Sequence, residues 1–165
     1  MESAATSQIR LATPDDVAAI ARVLHQAFVE SEALYTPEAL AATTPPADLI
    51  RQRLAEGPTW VAVRDAAIVG TVSAVLKGEG LYVRSMAILP TQRGNGLGQL
   101  LLQEVEAFAH AHQTTRLFLS TTPFLARAIR LYEQFGFQRS NDGPPELFGT
   151  PLFTMAKPLT VKPEA

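Results

Sequence analysis

The chain contains no cysteine. Disulfides, cysteine-ligated zinc, iron–sulfur clusters and a cysteine nucleophile are thereby excluded together. Charge is also sparse, at 18% of 165 residues, and fourteen basic against sixteen acidic residues leave a formal net charge of −2. With no basic surplus to neutralise backbone phosphates, nucleic-acid binding is not expected. No run approaches the roughly 18 apolar residues of a membrane span, and Arg22 interrupts the best candidate. The stretch from Met1 to Gln8 lacks the basic start and apolar core of a secretory signal. A cytoplasmic protein is expected, with no membrane partner.

What is present is ordinary globular composition: 47% hydrophobic residues, with 12 Pro and 10 Gly. A chain of this length suits one domain that buries its own core. We expect that domain over residues 1–158 and a short tail over 159–165.

The first element reads as a strand, Gln8 to Ala12, followed by a strong helix start at Thr13-Pro14-Asp15-Asp16. Thr13 can cap, Pro14 suits the first turn, and Asp16 stands where a capping box wants an acid. Apolar residues at Val17, Ile20, Ala21, Leu24 and Phe28 then mark one helix face. Prolines break the stretch from Ser31 to Pro46 into helix and loop, as in a flexible flap, and a further helix runs from Asp48 to Ala55. Three strands follow with tight links, Trp60–Val63, Ile68–Leu76 and Leu81–Leu89, which predicts an antiparallel meander. A helix from Leu97 to about His112 and a strand from Arg116 then make one parallel crossover. A helix over Leu125–Phe135, a strand led by Gly136-Phe137 and a last strand over Pro151–Lys157 complete the pattern.

The most informative segment is the loop Arg93-Gly94-Asn95-Gly96-Leu97-Gly98, between a strand end and a helix start. Alternating glycines let backbone N–H groups approach a ligand closely, and a helix N-terminus adds unpaired donors and a positive dipole end. Phosphate or pyrophosphate suits such a cradle, with the Arg93 fork beside it. A P-loop is excluded because no Gly-Lys-Ser or Gly-Lys-Thr follows, and the glycine spacing differs from the dinucleotide fingerprint.

With Arg93-x-x-Gly96-x-Gly98 and, farther on, Leu131-Tyr132-Glu133-Gln134-Phe135-Gly136-Phe137, the chain resembles the GNAT superfamily of acyl-CoA-dependent N-acyltransferases. The resemblance covers Ile68 to Lys157. It implies a mixed α/β fold: a mostly antiparallel central sheet with one parallel, splayed strand pair and helices on both faces. It implies acetyl-CoA as co-substrate, with the pyrophosphate held by Arg93, Gly94, Asn95, Gly96, Leu97 and Gly98. The pantetheine arm would pair with Met86, Ala87 and Ile88 like an added strand. The implied reaction is direct attack by a primary amine, of a small molecule or a protein, on the thioester. A non-catalytic acyl-CoA-binding sensor is the alternative.

Tyr132 matches the family tyrosine near the CoA sulfur, although it shares a helix face with Leu125, Ala128, Ile129 and Phe135 and could simply pack there. Many relatives use an acidic residue on the strand before the loop as the base, and Leu81–Leu89 contains none. Glu79, just before that strand, is the candidate base; water relayed past Ser85 is an alternative, and Glu30 or Glu32 could grip an amine. Leu125 stands where relatives often have a pantetheine-binding Asn. Thr121 and Thr122 could substitute or cap the next helix, Pro123 favouring the cap. No metal is expected, since His110 and His112 are two apart and do not share a helix face. The segments Ser31–Pro46 and Asn141–Gly149 are expected to set acceptor specificity, and the last strand offers a pairing edge for a homodimer.

Overall fold

A seven-stranded sheet in the order β1-β2-β3-β4-β5-β9-β6 organises the chain. The computed structural model describes residues 7–160. Its strands are β1 (Ser7–Leu11), β2 (Thr59–Arg64), β3 (Ala67–Lys77), β4 (Gly80–Ile88), β5 (Arg116–Thr121), β6 (Gln138–Ser140) and β9 (Phe153–Pro158), with a separate hairpin of β7 (Glu146–Leu147) and β8 (Thr150–Pro151). The helices are α1 (Val17–Phe28), α2 (Pro37–Thr43), α3 (Ala47–Leu54), α4 (Leu97–Ala111) and α5 (Ala126–Phe135). Every neighbouring pair in the sheet is antiparallel except β4 and β5, as the single crossover through α4 requires.

The two faces of the sheet carry two apolar clusters. One gathers Leu97, Leu101, Leu102 and Val105 of α4 against Trp60, Val72, Leu81, Val83 and Leu117. The other gathers Val17, Ile20, Val23 and Leu24 of α1 against Ile50, Val61 and Ala87. The helix start before α1 is a one-turn 3₁₀ segment over Pro14–Asp16. Within it the Asp16 carboxylate accepts from the Thr13 N–H at 2.8 Å and from both Nη atoms of Arg10 at 2.7 and 3.0 Å. Those bonds, against the cost of burial, hold the Asp16 carboxyl down to about 2.

Three expectations need correction. The last strand is not an edge: β9 lies between β5 and β6, so the free edges are β1 and β6. The stretch from Asn141 to Gly149 contains the β7 strand, too short for its two-residue pairing to show as an alternating pattern. The flap is tied down: the Thr36 N–H donates to Thr150 Oγ1 at 3.0 Å and Thr36 Oγ1 donates to the Phe148 carbonyl at 2.8 Å. The two segments expected to set specificity therefore touch each other. Of the expected tail, Leu159 is part of the fold, its N–H donating to the Thr115 carbonyl at 2.8 Å, while 161–165 lie outside the described residues.

Candidate functional site

β4 and β5 are paired only at Gly80–Arg116, Leu81–Leu117 and Tyr82–Phe118. Beyond Tyr82 the two strands part, and the wedge between them opens into a cleft of about 1190 Å³. The splay leaves the edge of β4 unpaired from Val83 to Ile88, and an unpaired edge offers its N–H and C=O groups to an extended ligand. A bulge in β4 contributes to the divergence: the β3–β4 register slips between Thr71 and Ser73, and Ser85 has a φ of +55°.

The glycine loop closes one end of this cleft. Gly94 and Gly96 have φ values of +86° and +75°, and a Cβ built on either would meet nothing within 4 Å. Gly96 is also the N-cap of α4, and no side chain caps it, so the first-turn N–H groups stand available at the cleft. Gly98 serves a different purpose. A Cβ there would come within 2.6 Å of Leu131 Cδ2, so its smallness lets α5 pack against α4. Asn95 does not line the cleft; its Nδ2 donates to the Gln92 carbonyl at 3.0 Å and braces the turn. The other sequence-predicted binding residues, Met86, Ala87, Ile88, Arg93, Gly94, Gly96, Leu97 and Gly98, all line it.

Tyr132 lies in α5 and lines the same cleft while being only 7% exposed. Burial first, then the nearby Tyr35 phenol, push its pKa far above the ordinary tyrosine range, so it holds its proton at any physiological pH. Tyr35, at the end of the 3₁₀ turn following α1, is itself buried and stacks edge-on against Phe124 at 4.9 Å. Thr122 lines the cleft with a buried Oγ1 that has no hydrogen-bond partner. It does not cap α5, whose N-cap is Leu125, and it lies beside the Tyr35 phenol.

Glu79 stands apart. It sits in the turn before β4, its carbonyl accepting from the Thr115 N–H, and it does not line the cleft. Six residues of strand put it roughly 20 Å from Ser85. A base must come within hydrogen-bond reach of its proton, and at that separation Glu79 does not reach the open edge of β4. Glu30 is already engaged, its Oε1 accepting from Arg93 Nη1 at 2.7 Å across the cleft. Glu32 does not line the cleft.

Five arginines line the cleft (Arg53, Arg84, Arg93, Arg127 and Arg130) against two acids, Glu30 and Glu146. The cleft is thus cationic inside a chain whose net charge is −2. Of the five, only Arg93 carried a signal in the sequence. Arg127 and Arg130 lie one turn apart on α5, a spacing that shows in the sequence without telling which way that face points. Arg53 lies on α3 and its Nη1 donates to Ser85 Oγ at 3.1 Å. Burial, with Arg84 beside it, lowers the Arg53 pKa from its usual value, and it remains a cation.

Among the described residues, no group of three or more His, Asp or Glu side chains could hold a metal ion, and no helix is long and apolar enough to cross a membrane.

Comparison with known proteins agrees with this geometry. The family described as Acetyltransferase (GNAT) family matches residues 21–137. The chain is 37% identical over 102 residues to an IAA acetyltransferase from Azospirillum brasilense, covering 60% of this chain and 66% of that protein. It is 32% identical over 136 residues to the N-acetyltransferase YjgM of Escherichia coli (strain K12), covering 79% and 81%. The crystal structure of a PaiA N-acetyltransferase from Thermoplasma acidophilum in complex with coenzyme A superposes with a TM-score of 0.81 at 14% identity, over 93% of this chain and 99% of that one. The chain spans between about half and two thirds of the length of several curated relatives it matches.

Proposed function

The chain belongs to the acetyltransferase (GNAT) family, and from that premise we propose that it moves an acetyl group from acetyl-CoA to a primary amine. The observation that carries the reading is the coincidence, in one cleft, of an open β4 edge, a glycine-lined helix N-terminus and a buried, protonated phenol. The α4 N-terminus, with Gly94, Gly96 and Arg93, would hold the pyrophosphate of CoA. Arg127 and Arg130 would add charge for its remaining phosphate. Met86, Ala87 and Ile88 would pair with the pantetheine amides, and the Thr122 hydroxyl supplies a further partner there.

In the reaction the amine nitrogen bonds to the acetyl carbon, the C–S bond breaks, and the sulfur leaves with the electron pair. The nitrogen gives up one proton to water. Tyr132 is the group in the cleft suited to the departing sulfur. A phenol whose pKa lies above the ordinary range surrenders its proton reluctantly to a thiolate, the weaker base. Its contribution is therefore a hydrogen bond to the developing negative charge, and the released thiolate takes its proton from water. No carboxylate takes the role of base in this reading. The amine must arrive neutral, and rate comes mainly from positioning.

The direct test is a thermal-shift series with acetyl-CoA, CoA, ATP and NAD. A ligand that binds only the native state raises the melting temperature by mass action. Stabilisation by the CoA compounds alone, followed by thiol release when amines are added, supports a transferase. Stabilisation without release from any amine supports the acyl-CoA sensor. No shift with CoA compounds rejects the binding role of the loop.

A further inference from the structure

The acceptor side of the cleft carries a charge arrangement that the proposed reaction does not use. Arg53 on α3 lies close enough to Arg84 on β4 for its guanidinium to feel that neighbouring charge. Both line the cleft on the side of the sheet covered by α1 and α3, where Ser85 meets Arg53. Arg53 is half-buried, and its Nη1 donates to a neutral hydroxyl at 3.1 Å. Arg84 reaches one acid, Glu56, and only at the long distances of 3.3 and 3.4 Å to its two oxygens. The Arg84 Nε is buried and has no hydrogen-bond partner. A buried donor without a partner is costly, and two adjacent guanidiniums sharing one distant carboxylate leave positive charge uncompensated.

Resting on the acetyltransferase reading above, we propose that the acceptor is a small primary amine that also carries a carboxylate, an amino acid or a close analogue, held at that carboxylate by Arg53 and Arg84. A carboxylate has two oxygens and about four lone-pair positions, which match a pair of guanidinium forks. It would neutralise the pair and leave the amine end to reach the thioester beside the bulge at Ser85. The overall charge of −2 is no guide to this preference, because the cleft has the opposite sign. Polyamines and other purely cationic acceptors are disfavoured by the same charges.

The test uses the full chain, acetyl-CoA and matched amine pairs: phenylalanine against phenethylamine, and leucine against isoamylamine, each amino acid also as its carboxamide. Thiol release gives kcat/KM for each. We expect the free amino acids to exceed both the decarboxylated amines and the carboxamides by tenfold or more. In Arg84→Met, and separately in Arg53→Met, KM for the amino acids should rise at least tenfold and the preference ratio should fall toward one. Glu56→Gln, which removes the competing carboxylate, should lower that KM two- to threefold, a readout that a merely structural role for Arg84 would not move. Arg84→Lys, retaining charge without the fork, should recover part of the preference. Equal or faster turnover of the decarboxylated amines or carboxamides overturns the inference, as does a preference that survives both methionine variants. Acceptance of peptides bearing a free amino terminus, at rates matching the amino acids, also overturns it. If acetyl-CoA stabilises the protein but no carboxylate-bearing amine is acetylated, the inference fails and the CoA site stands. If acetyl-CoA does not stabilise the protein, both fail together.

Discussion

The two ends of the cleft are built from different material. At the α4 end, backbone does most of the work: two left-handed glycines, an uncapped helix start and an unpaired strand edge. At the flap end, side chains do it, from Tyr35, Arg53 and Arg84, with the hydroxyls of Thr36 and Thr150 tying the flap to the β7–β8 hairpin behind them. A backbone cradle asks little of the sequence beyond glycine at a few points. The fold is accordingly shared with a CoA-bound relative at 14% identity. A side-chain cradle can be rewritten residue by residue, and that end is where relatives with a common co-substrate can part company over acceptors.

Four substitutions press on this contrast, beginning with the largest expected effect. Gly96→Val forces a β-branched residue to a φ of +75° and projects its methyls into the open space of the cleft. Calorimetry should show acetyl-CoA affinity falling at least a hundredfold while the far-ultraviolet spectrum is retained. Unchanged affinity would break the backbone account of that end.

Asp16→Asn tests what anchors the start of α1, the helix that leads into the flap. The folded carboxyl sits at about 2, below its unfolded value near 3.9, so its contribution is complete above the unfolded value and disappears as pH falls through the folded one. The variant should lose about 2 kcal/mol at pH 7 by denaturant titration, and the gap to the parent should close between about pH 4 and pH 2. A gap that persists at pH 2 would point to packing instead of charge.

Tyr132→Phe keeps the ring and its edge contact with Phe137 at 5.7 Å and removes only the hydroxyl. We expect kcat to fall roughly tenfold, about 1.4 kcal/mol, with acetyl-CoA affinity unaltered. Equal rates would return Tyr132 to the core.

The smallest effect expected comes from Glu30→Gln. Releasing Arg93 from its partner at 2.7 Å should tighten CoA two- to threefold at low salt, with the gain fading as salt rises. The pair is partly exposed, so a large change would mean that the flap had moved as well.

The same division explains what could be read from the residues alone. The meander, the crossover and the glycine loop announce themselves locally, through period-two alternation, turn residues and a helix start within a dozen positions. Tyr132 was legible through its motif, and only the fold reveals that it shares a cleft with a loop more than thirty residues away. Gly98 looked like a third ligand-facing glycine because spacing cannot distinguish space for a phosphate from space for Leu131. Arg53 and Arg84 carry no local signal, since their meeting depends on α3 crossing β4 at the bulge. Glu79 is near β4 in sequence, and an extended strand turns nearness at one end into separation at the other.

The short parallel pairing of β4 with β5 has a mechanical side. Three residue pairs and the flanking Thr115–Glu79 hydrogen bond stitch the slab of β1 to β4 onto the slab of β5, β9 and β6, with α4 spanning the seam. A guest lying along the open edge bonds across that seam and acts as mortar between the two slabs. Its grip should therefore be felt far from where it touches: amide exchange should slow in β9 and β6, strands it never contacts.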